Sequence, residues 1–203
     1  MNYEHIYKPG EPGHPTFLVL HGTGGTEKDL VPLVNYIDSK AGILSVRGDV
    51  LENGMNRFFR RLAEGIFDKE DLEKRTHMLY DFLQSASENY KFDKTNVLAL
   101  GYSNGANIAA SMLYFYEDAF KGAILHHPMT PFEEREMKTS DALPVFIGAG
   151  NNDPICPPEN TRLLISQLEN VGSNVTTEWG NAGHSLTQNE LDAAKNWYNK
   201  QFS

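Results

Sequence analysis

A serine between two closely spaced glycines is the residue of this chain best suited to chemistry. Ser103 lies in the pattern G-x-S-x-G, bounded by Gly101 and Gly105, after an apolar run and before a helical pattern. In a strand-turn-helix setting this pattern holds a nucleophilic serine on a sharp turn, where strand and helix leave room only for glycine. The setting predicts that Ser103 is a nucleophile. The alternative is a glycine-rich turn with an incidental serine.

A serine hydroxyl is a weak nucleophile at neutral pH, so the hypothesis requires a histidine base and an acid that orients it. Where this turn is used, the chain order is serine, acid, histidine, with each partner on a loop after a strand. Asp153 follows the apolar run 145–148, and His184 follows the run 175–179, whereas Asp141 precedes the first of these runs. Asp153 and His184 are therefore the predicted acid and base. The alternative for Asp153 is that it only begins an Asp-Pro turn.

Three further side chains near these loops could carry chemistry. His126 and His127 end a predicted strand at the same sheet edge, so either could line a pocket, although a structural role is the more common one for such histidines. Cys156 lies close to Asp153, but no histidine or second thiol is near it in sequence. We therefore expect Cys156 to take no part in catalysis.

Acyl transfer also requires two donors for the negative charge that develops on the carbonyl oxygen. In this setting they are backbone N–H groups, one from the residue after the nucleophile and one from a loop after an early strand. Asn104 and Thr23 are the predicted donors. The glycine-rich loop at 22–25 does not fit a dinucleotide motif, because Glu27 occupies the position of its third glycine.

The elements that must position these residues follow from an alternation of apolar runs and helical patterns, which is typical of a parallel sheet covered on both faces. The predicted strands are 17–20, 43–46, 97–100, 123–126, 145–148 and 175–179, with a weaker edge strand near 4–7. Helical spacing marks five segments between and after them, around residues 30–37, 72–83, 108–115, 163–171 and 191–198. The predicted fold class is α/β, with a mostly parallel sheet of six to seven strands.

The composition excludes several classes of partner. The 203 residues carry a formal net charge of −9, so nucleic acid or an anionic membrane would be repelled over most of the surface. No apolar run approaches the roughly 18 residues of a membrane-spanning helix, and the start lacks the features of a secretory signal. A single cysteine cannot form an internal disulfide. We expect a cytoplasmic protein with one domain over 1–203, a monomer or homodimer.

Four motifs together resemble the phospholipase/carboxylesterase family of α/β-hydrolases. They are HGTGG at 21–25, GYSNG at 101–105, GNNDP at 150–154 and AGH at 182–184. The resemblance covers nearly the whole chain and extends to small bacterial carboxylesterases and acyl-protein thioesterases, with dienelactone hydrolases as near relations. Within the family, the chain is similar to bacterial hydrolases linked with hydroquinone and quinone stress. The resemblance implies an α/β-hydrolase fold that needs no cofactor or metal.

The resemblance further implies a carboxylesterase that cleaves small to medium acyl or aryl esters through a triad of Ser103, His184 and Asp153 and an acyl-enzyme. Dienelactone hydrolases have cysteine where this chain has serine, which favours ordinary ester or thioester cleavage. A small-molecule ester is then the expected partner. Two alternatives stay open: a thioesterase or lysophospholipase acting on acylated proteins or lipids, and a non-catalytic binding protein on the same fold.

The segment 44–59 resembles the pocket-forming loop of that family. Met55, Phe58 and Phe59, together with Ile155, are candidates for an apolar pocket wall, although each could equally belong to the core. Too few residues separate the fourth and fifth main strands for a helical cap domain. We therefore expect an open, shallow site.

Overall fold

A seven-stranded sheet forms the centre of the chain. The computed structural model describes residues 3–139 and 142–202, so Asp141 lies outside the described residues. The strands of the sheet are β1 (His5–Lys8), β2 (Thr16–Leu20), β3 (Gly42–Val46), β8 (Val97–Tyr102), β9 (Gly122–His126), β10 (Pro144–Gly150) and β11 (Asn174–Gly180). They follow the order β1-β3-β2-β8-β9-β10-β11, and all neighbours are parallel except β1, which runs antiparallel to β3.

Helices cover both faces of this sheet. They are α1 (Val31–Ile37), α2 (Lys69–Tyr90), α3 (Asn104–Met112), α4 (Pro158–Asn170) and α5 (Gln188–Phe202). Because successive strand residues point to opposite faces, Phe17 and Val19 of β2 pack with α1 and α5, whereas Leu18 and Leu20 pack with α2, α3 and α4. Both faces of the central strands are consequently apolar, as the continuous apolar runs predicted.

The predicted fold class and α/β-hydrolase fold are confirmed. Each of the seven predicted strands and five predicted helices is present, with ends that differ by a few residues. The longest helix, α2, begins at Lys69, because the side chain of Asp68 caps its first turn by accepting a hydrogen bond from the Asp71 N–H at 3.1 Å. Within the described ranges, no helix is both long and apolar enough to cross a membrane.

Two small hairpins between β3 and α2 were not predicted. The strands of the first hairpin are β4 (Val50–Glu52) and β5 (Met55–Arg57), and those of the second are β6 (Arg61–Ala63) and β7 (Ile66–Phe67). Each strand has only two or three residues, which is too short for alternation to be recognised in the sequence. The first hairpin lies within the segment 44–59 that resembles a pocket-forming loop, and the second hairpin follows that segment directly.

The turn that carries Ser103 depends on close backbone contact between β8, α3 and β2. A Cβ atom on Gly101 would lie 2.7 Å from the Ala106 Cα, and one on Gly105 would lie 2.0 Å from the Leu20 carbonyl oxygen. Both distances are far below van der Waals contact. The two glycines of G-x-S-x-G are therefore required by packing alone.

We expect Gly105→Ala to destabilise the fold by about 3 kcal/mol or more, because the added methyl group overlaps the backbone of β2, which cannot move away without breaking the sheet. The free energy of unfolding in urea measures the effect. Gly180→Ala is the matched control, since a Cβ at Gly180 meets no atom within 4 Å, and its effect should stay within about 0.5 kcal/mol. Equal stability of the two variants would contradict this packing argument.

Candidate active site

The predicted nucleophile, acid and base come together at one edge of the sheet. Ser103 follows β8, Asp153 follows β10 and His184 follows β11, all at the carboxyl ends of parallel strands. Loops at this edge converge because the strands run in the same direction, so residues far apart in sequence become neighbours. Ser103 and His184 are half-buried, and Asp153 is buried.

The backbone of Ser103 adopts a strained conformation. Its φ of 52° with a ψ of −114° lies in a region that residues with a side chain rarely occupy. The Ser103 N–H donates to the carbonyl oxygen of His126 at 2.9 Å, which ties the turn to β9. This conformation lifts the hydroxyl group out of the strand and directs it toward His184.

Hydrogen bonds join the three side chains in a row. His184 Nε2 lies 2.8 Å from Ser103 Oγ, and His184 Nδ1 lies 2.7 Å from Asp153 Oδ2. The Tyr102 hydroxyl donates to the His184 carbonyl oxygen and so fixes the backbone of the base. This geometry allows the imidazole to receive a proton from the serine while its other nitrogen donates to the carboxylate.

Asp153 accepts four hydrogen bonds. Its Oδ1 receives the N–H groups of Ile155 and Cys156 at 2.8 and 2.9 Å, while its Oδ2 receives Nδ1 of both His184 and His127. Burial alone would raise the pKa of Asp153, but the Cys156 N–H, the two imidazoles and the Ile155 N–H outweigh it and lower the pKa. Asp153 is therefore an ionised carboxylate at neutral pH.

Two residues that line a cleft with Ser103 have backbone N–H groups without a hydrogen-bond partner among the described residues. They are Thr23 and Asn104, the predicted donors. His21 holds the loop at 22–25, which carries Thr23, in place. Its Nε2 accepts the Gly48 N–H at 3.0 Å, and its Nδ1 donates to the Gly22 carbonyl. Burial lowers the pKa of His21, which keeps the ring neutral and able to accept.

A narrow cleft of about 40 Å³ opens beside Ser103. It is lined by Thr23, Arg57, Arg61, Gly65, Phe67, Ser103, Asn104, Asn107, Met129, Ile155 and Cys156. A larger depression of about 440 Å³ lies between segments 7–16 and 90–96, but no serine or cysteine is among its described lining residues. The cleft at Ser103 is therefore the candidate substrate site, and residues from β5 to β7 form one of its walls.

The apolar pocket wall that the sequence predicted is largely absent. Phe58 and Phe59 are 1% and 0% exposed and pack in the core with α2 and α3, which corrects their placement in the pocket. Met55 is exposed beside Gly24 and is not among the residues that line the cleft. Ile155 does line it. Phe58 and Phe59 directly follow β5, where the chain enters the interior. The apolar character of a residue does not by itself distinguish a core position from a pocket wall.

Two arginines that the sequence analysis did not single out line the cleft instead. Arg57 is buried and donates to the Thr23 hydroxyl at 2.6 Å, while Arg61 is half-buried. Both pair with Glu52, through contacts of 3.4 Å from Arg57 and 2.7 Å from Arg61. Burial, with repulsion from Arg61, lowers the pKa of Arg57. One carboxylate facing two guanidinium groups leaves an excess positive charge at the cleft.

Behind Asp153 lies a second buried group of charged side chains. His127 Nδ1 is 2.8 Å from Asp153 Oδ2, and His127 Nε2 is 3.2 Å from Glu190 Oε2. Glu190, on α5, also accepts a hydrogen bond from His126 Nδ1. His127, Asp153 and His184 bring their donor atoms within 4.8 Å of one another, but both Nδ1 atoms are already engaged by Asp153. We therefore describe the group by its hydrogen bonds and assign no metal to it.

Known hydrolases are similar to this chain over almost its whole length. The sequence profile of the dienelactone hydrolase family, named above as a near relation, matches residues 5–202. The putative hydrolase MhqD of Bacillus subtilis is 51% identical over 195 residues, which cover 96% of this chain and 97% of that protein. These matches confirm the resemblance to α/β-hydrolases.

Solved structures give the same result. The carboxylesterase of Bacillus cereus superposes with a TM-score of 0.94 at 54% identity, covering 98% of this chain and 94% of that one. The structure of YahD with malic acid superposes with a TM-score of 0.93 at 34% identity, covering 98% of this chain and 99% of that one. The chain is thus similar to a bacterial carboxylesterase over almost its whole length.

We expect the thiol of Cys156 to be unreactive in the folded protein. It is 3% exposed and donates to the His127 carbonyl oxygen at 3.2 Å, and burial, reinforced by Asp153, raises the pKa of the thiol. Ellman's reagent should therefore react with the native protein at least about 100-fold more slowly than with protein unfolded in guanidinium chloride. Rapid reaction of the native thiol would contradict this description.

Proposed function

Because the chain belongs to the dienelactone hydrolase family, a family of hydrolases, we propose that it cleaves small carboxylic esters with Ser103 as the nucleophile. The observation that carries the proposal is the row of hydrogen bonds from Ser103 through His184 to Asp153. A serine with a histidine at 2.8 Å and an ionised carboxylate behind that histidine has the components of nucleophilic acyl transfer.

In the proposed reaction, Ser103 Oγ attacks the carbonyl carbon of the ester as His184 Nε2 takes its proton. Asp153 holds the imidazole by its Nδ1 and balances the positive charge that forms on it. The N–H groups of Thr23 and Asn104 stabilise the oxyanion, and His184 then returns the proton to the leaving alcohol. Water, activated by His184, hydrolyses the acyl-enzyme and restores Ser103.

The cleft favours small esters that bear a carboxylate. The small size of the cleft favours a small substrate, and the excess positive charge of Arg57 and Arg61 over Glu52 attracts an anion. YahD, which is 34% identical, has been crystallised with malic acid, a dicarboxylic acid. In a chain of net charge −9, a positive cleft selects its substrates by charge as well as by size.

The nucleophile is tested by labelling with a fluorophosphonate and by turnover of p-nitrophenyl butyrate. We expect the native protein to be labelled at Ser103 and Ser103→Ala to lose labelling, with a fall in kcat of about 10⁴-fold or more. Ser85→Ala, which removes an exposed hydroxyl on α2, is the control and should retain full activity.

A wild-type protein that neither reacts with the probe nor hydrolyses any ester would refute the proposed function and favour a binding protein. Thioesters of the same acyl groups, assayed in parallel, distinguish an esterase from a thioesterase. A kcat/KM that is higher for the thioester would replace the ester proposal.

The role of the positive cleft is tested with two esters of equal length, p-nitrophenyl butyrate and mono-p-nitrophenyl succinate. Arg61→Gln should lower kcat/KM for the succinate ester about 5-fold, since it removes a half-exposed charge-assisted contact worth about 1 kcal/mol. For the butyrate ester, kcat/KM should change by less than about 2-fold, because this ester has no carboxylate for Arg61 to contact. Arg60→Gln is the matched control, because Arg60 is exposed and pairs with Asp68 and Asp71. Equal losses for both esters would exclude recognition of the carboxylate by Arg61.

A further inference from the structure

His127 occupies an unusual position between two buried carboxylates. One ring nitrogen lies 2.8 Å from Asp153 and the other 3.2 Å from Glu190, and the side chain is 2% exposed. Its backbone is also held in place, because the His127 N–H donates to the Gly148 carbonyl at 2.7 Å. The backbone φ of His127 is 51°. The ring is therefore fixed by contacts at both ends.

The contacts determine the protonation of this ring. Ionised carboxylate oxygens only accept hydrogen bonds, so an imidazole that faces one with each nitrogen must carry a proton on both. Burial would raise the pKa of Glu190, but hydrogen bonds from His126 and His127 lower it to about 2, and the pKa of Asp153 is also lowered. With both carboxylates ionised, His127 is an imidazolium.

We propose that His127 and Glu190 extend the row of Ser103, His184 and Asp153 into a five-residue network in which the His127 imidazolium is a positioning residue for Asp153. It holds Asp153 Oδ2 on the side opposite to His184 and balances the charge of that carboxylate. Glu190, in turn, keeps the proton on His127. The inference rests on the proposed function of Ser103, His184 and Asp153. It adds that the His127 imidazolium, held by Glu190, balances the negative charge of Asp153.

Asp153 and Glu190 are the only negatively charged groups beside the ring among the described residues. Burial and then Asp153 raise the pKa of Tyr102 to about 12, and burial raises the pKa of Cys156, so both are neutral at physiological pH. The titratable side chains that face His127 or His184 are Asp153, Glu190, Tyr102, Cys156 and, across Glu190, His126. The rings of His127 and His184 are 5.1 Å apart.

A positive charge at this distance acts on catalysis through Asp153. His184 must be unprotonated at Nε2 to accept the proton of Ser103, and the acid limb of kcat/KM reports this requirement. The Asp153 carboxylate by itself favours the protonated base, whereas the adjacent His127 imidazolium opposes that effect. His127 thereby extends activity to lower pH.

Nitrogen-15 NMR of the imidazole rings tests the charge directly and requires no substrate. Burial disfavours the imidazolium, but Glu190 and Asp153 outweigh it and raise the pKa of His127, so the proton is retained to higher pH. At pH 8 the wild type should show one ring protonated on both nitrogens, which is missing in His127→Asn. In Glu190→Gln this ring should lose its proton at lower pH than in wild type. A wild-type spectrum with no such ring at pH 8 would overturn the proposal.

The pH profile of kcat/KM tests the consequence for activity. His127→Asn keeps a donor for Asp153 without the charge, and asparagine tolerates the positive φ at this position. We expect the acid limb to move to higher pH by roughly 0.5 to 1 unit. The matched control, His77→Asn on α2, should leave the limb in place. A reduced kcat with an unmoved acid limb in His127→Asn would assign His127 a purely structural role.

The two measurements separate this inference from the proposed function. A protonated His127 in a protein without esterase activity would leave the charge network standing and refute the hydrolase mechanism. Esterase activity with a neutral His127 would refute the charge network and leave the hydrolase mechanism standing.

Discussion

The buried carboxylate of Asp153 is the group on which the arrangement at the sheet edge depends. Desolvation of an ionised carboxylate costs on the order of several kcal/mol unless donors replace the lost water. Here the donors come from three places: the turn that Asp153 itself begins, His127 after β9 and His184 after β11. Because these donors lie on loops after three adjacent strands, one side chain fixes the relative positions of those loops.

Absent side chains are as important to this arrangement as the charged ones. A Cβ on Gly148 in β10 would lie 1.9 Å from Glu190 Oε1, so this glycine provides the space for the carboxylate of α5. Gly101 and Gly105 likewise allow α3 to approach β8 and β2 closely enough for the Ser103 turn. The charged side chains can come into contact because the backbone positions between them are glycines, which have no side chain.

Sequence reasoning succeeded where a pattern is tied to one geometry. The apolar runs predicted the sheet, and the order of Ser103, Asp153 and His184 along the chain predicted which loops meet. The sequence did not reveal that Arg57 and Arg61 line the cleft, because they lie on hairpin strands too short to show a hydrophobic period. Glu190 did carry a signal that was not used: it is four residues before Ala194 and seven before Trp197, which places a carboxylate on the buried face of α5.

The position of Glu190 in the chain has a consequence for how the protein is made. Every strand of the sheet precedes α5 in sequence, so Ser103, Asp153 and His184 all leave the ribosome before Glu190 does. A nascent chain interrupted before α5 would contain all three of these residues, but α1 alone would cover its face of the sheet and His127 would lack its second carboxylate. The two carboxylates that flank His127 are therefore both in place only when α5 is packed against the sheet.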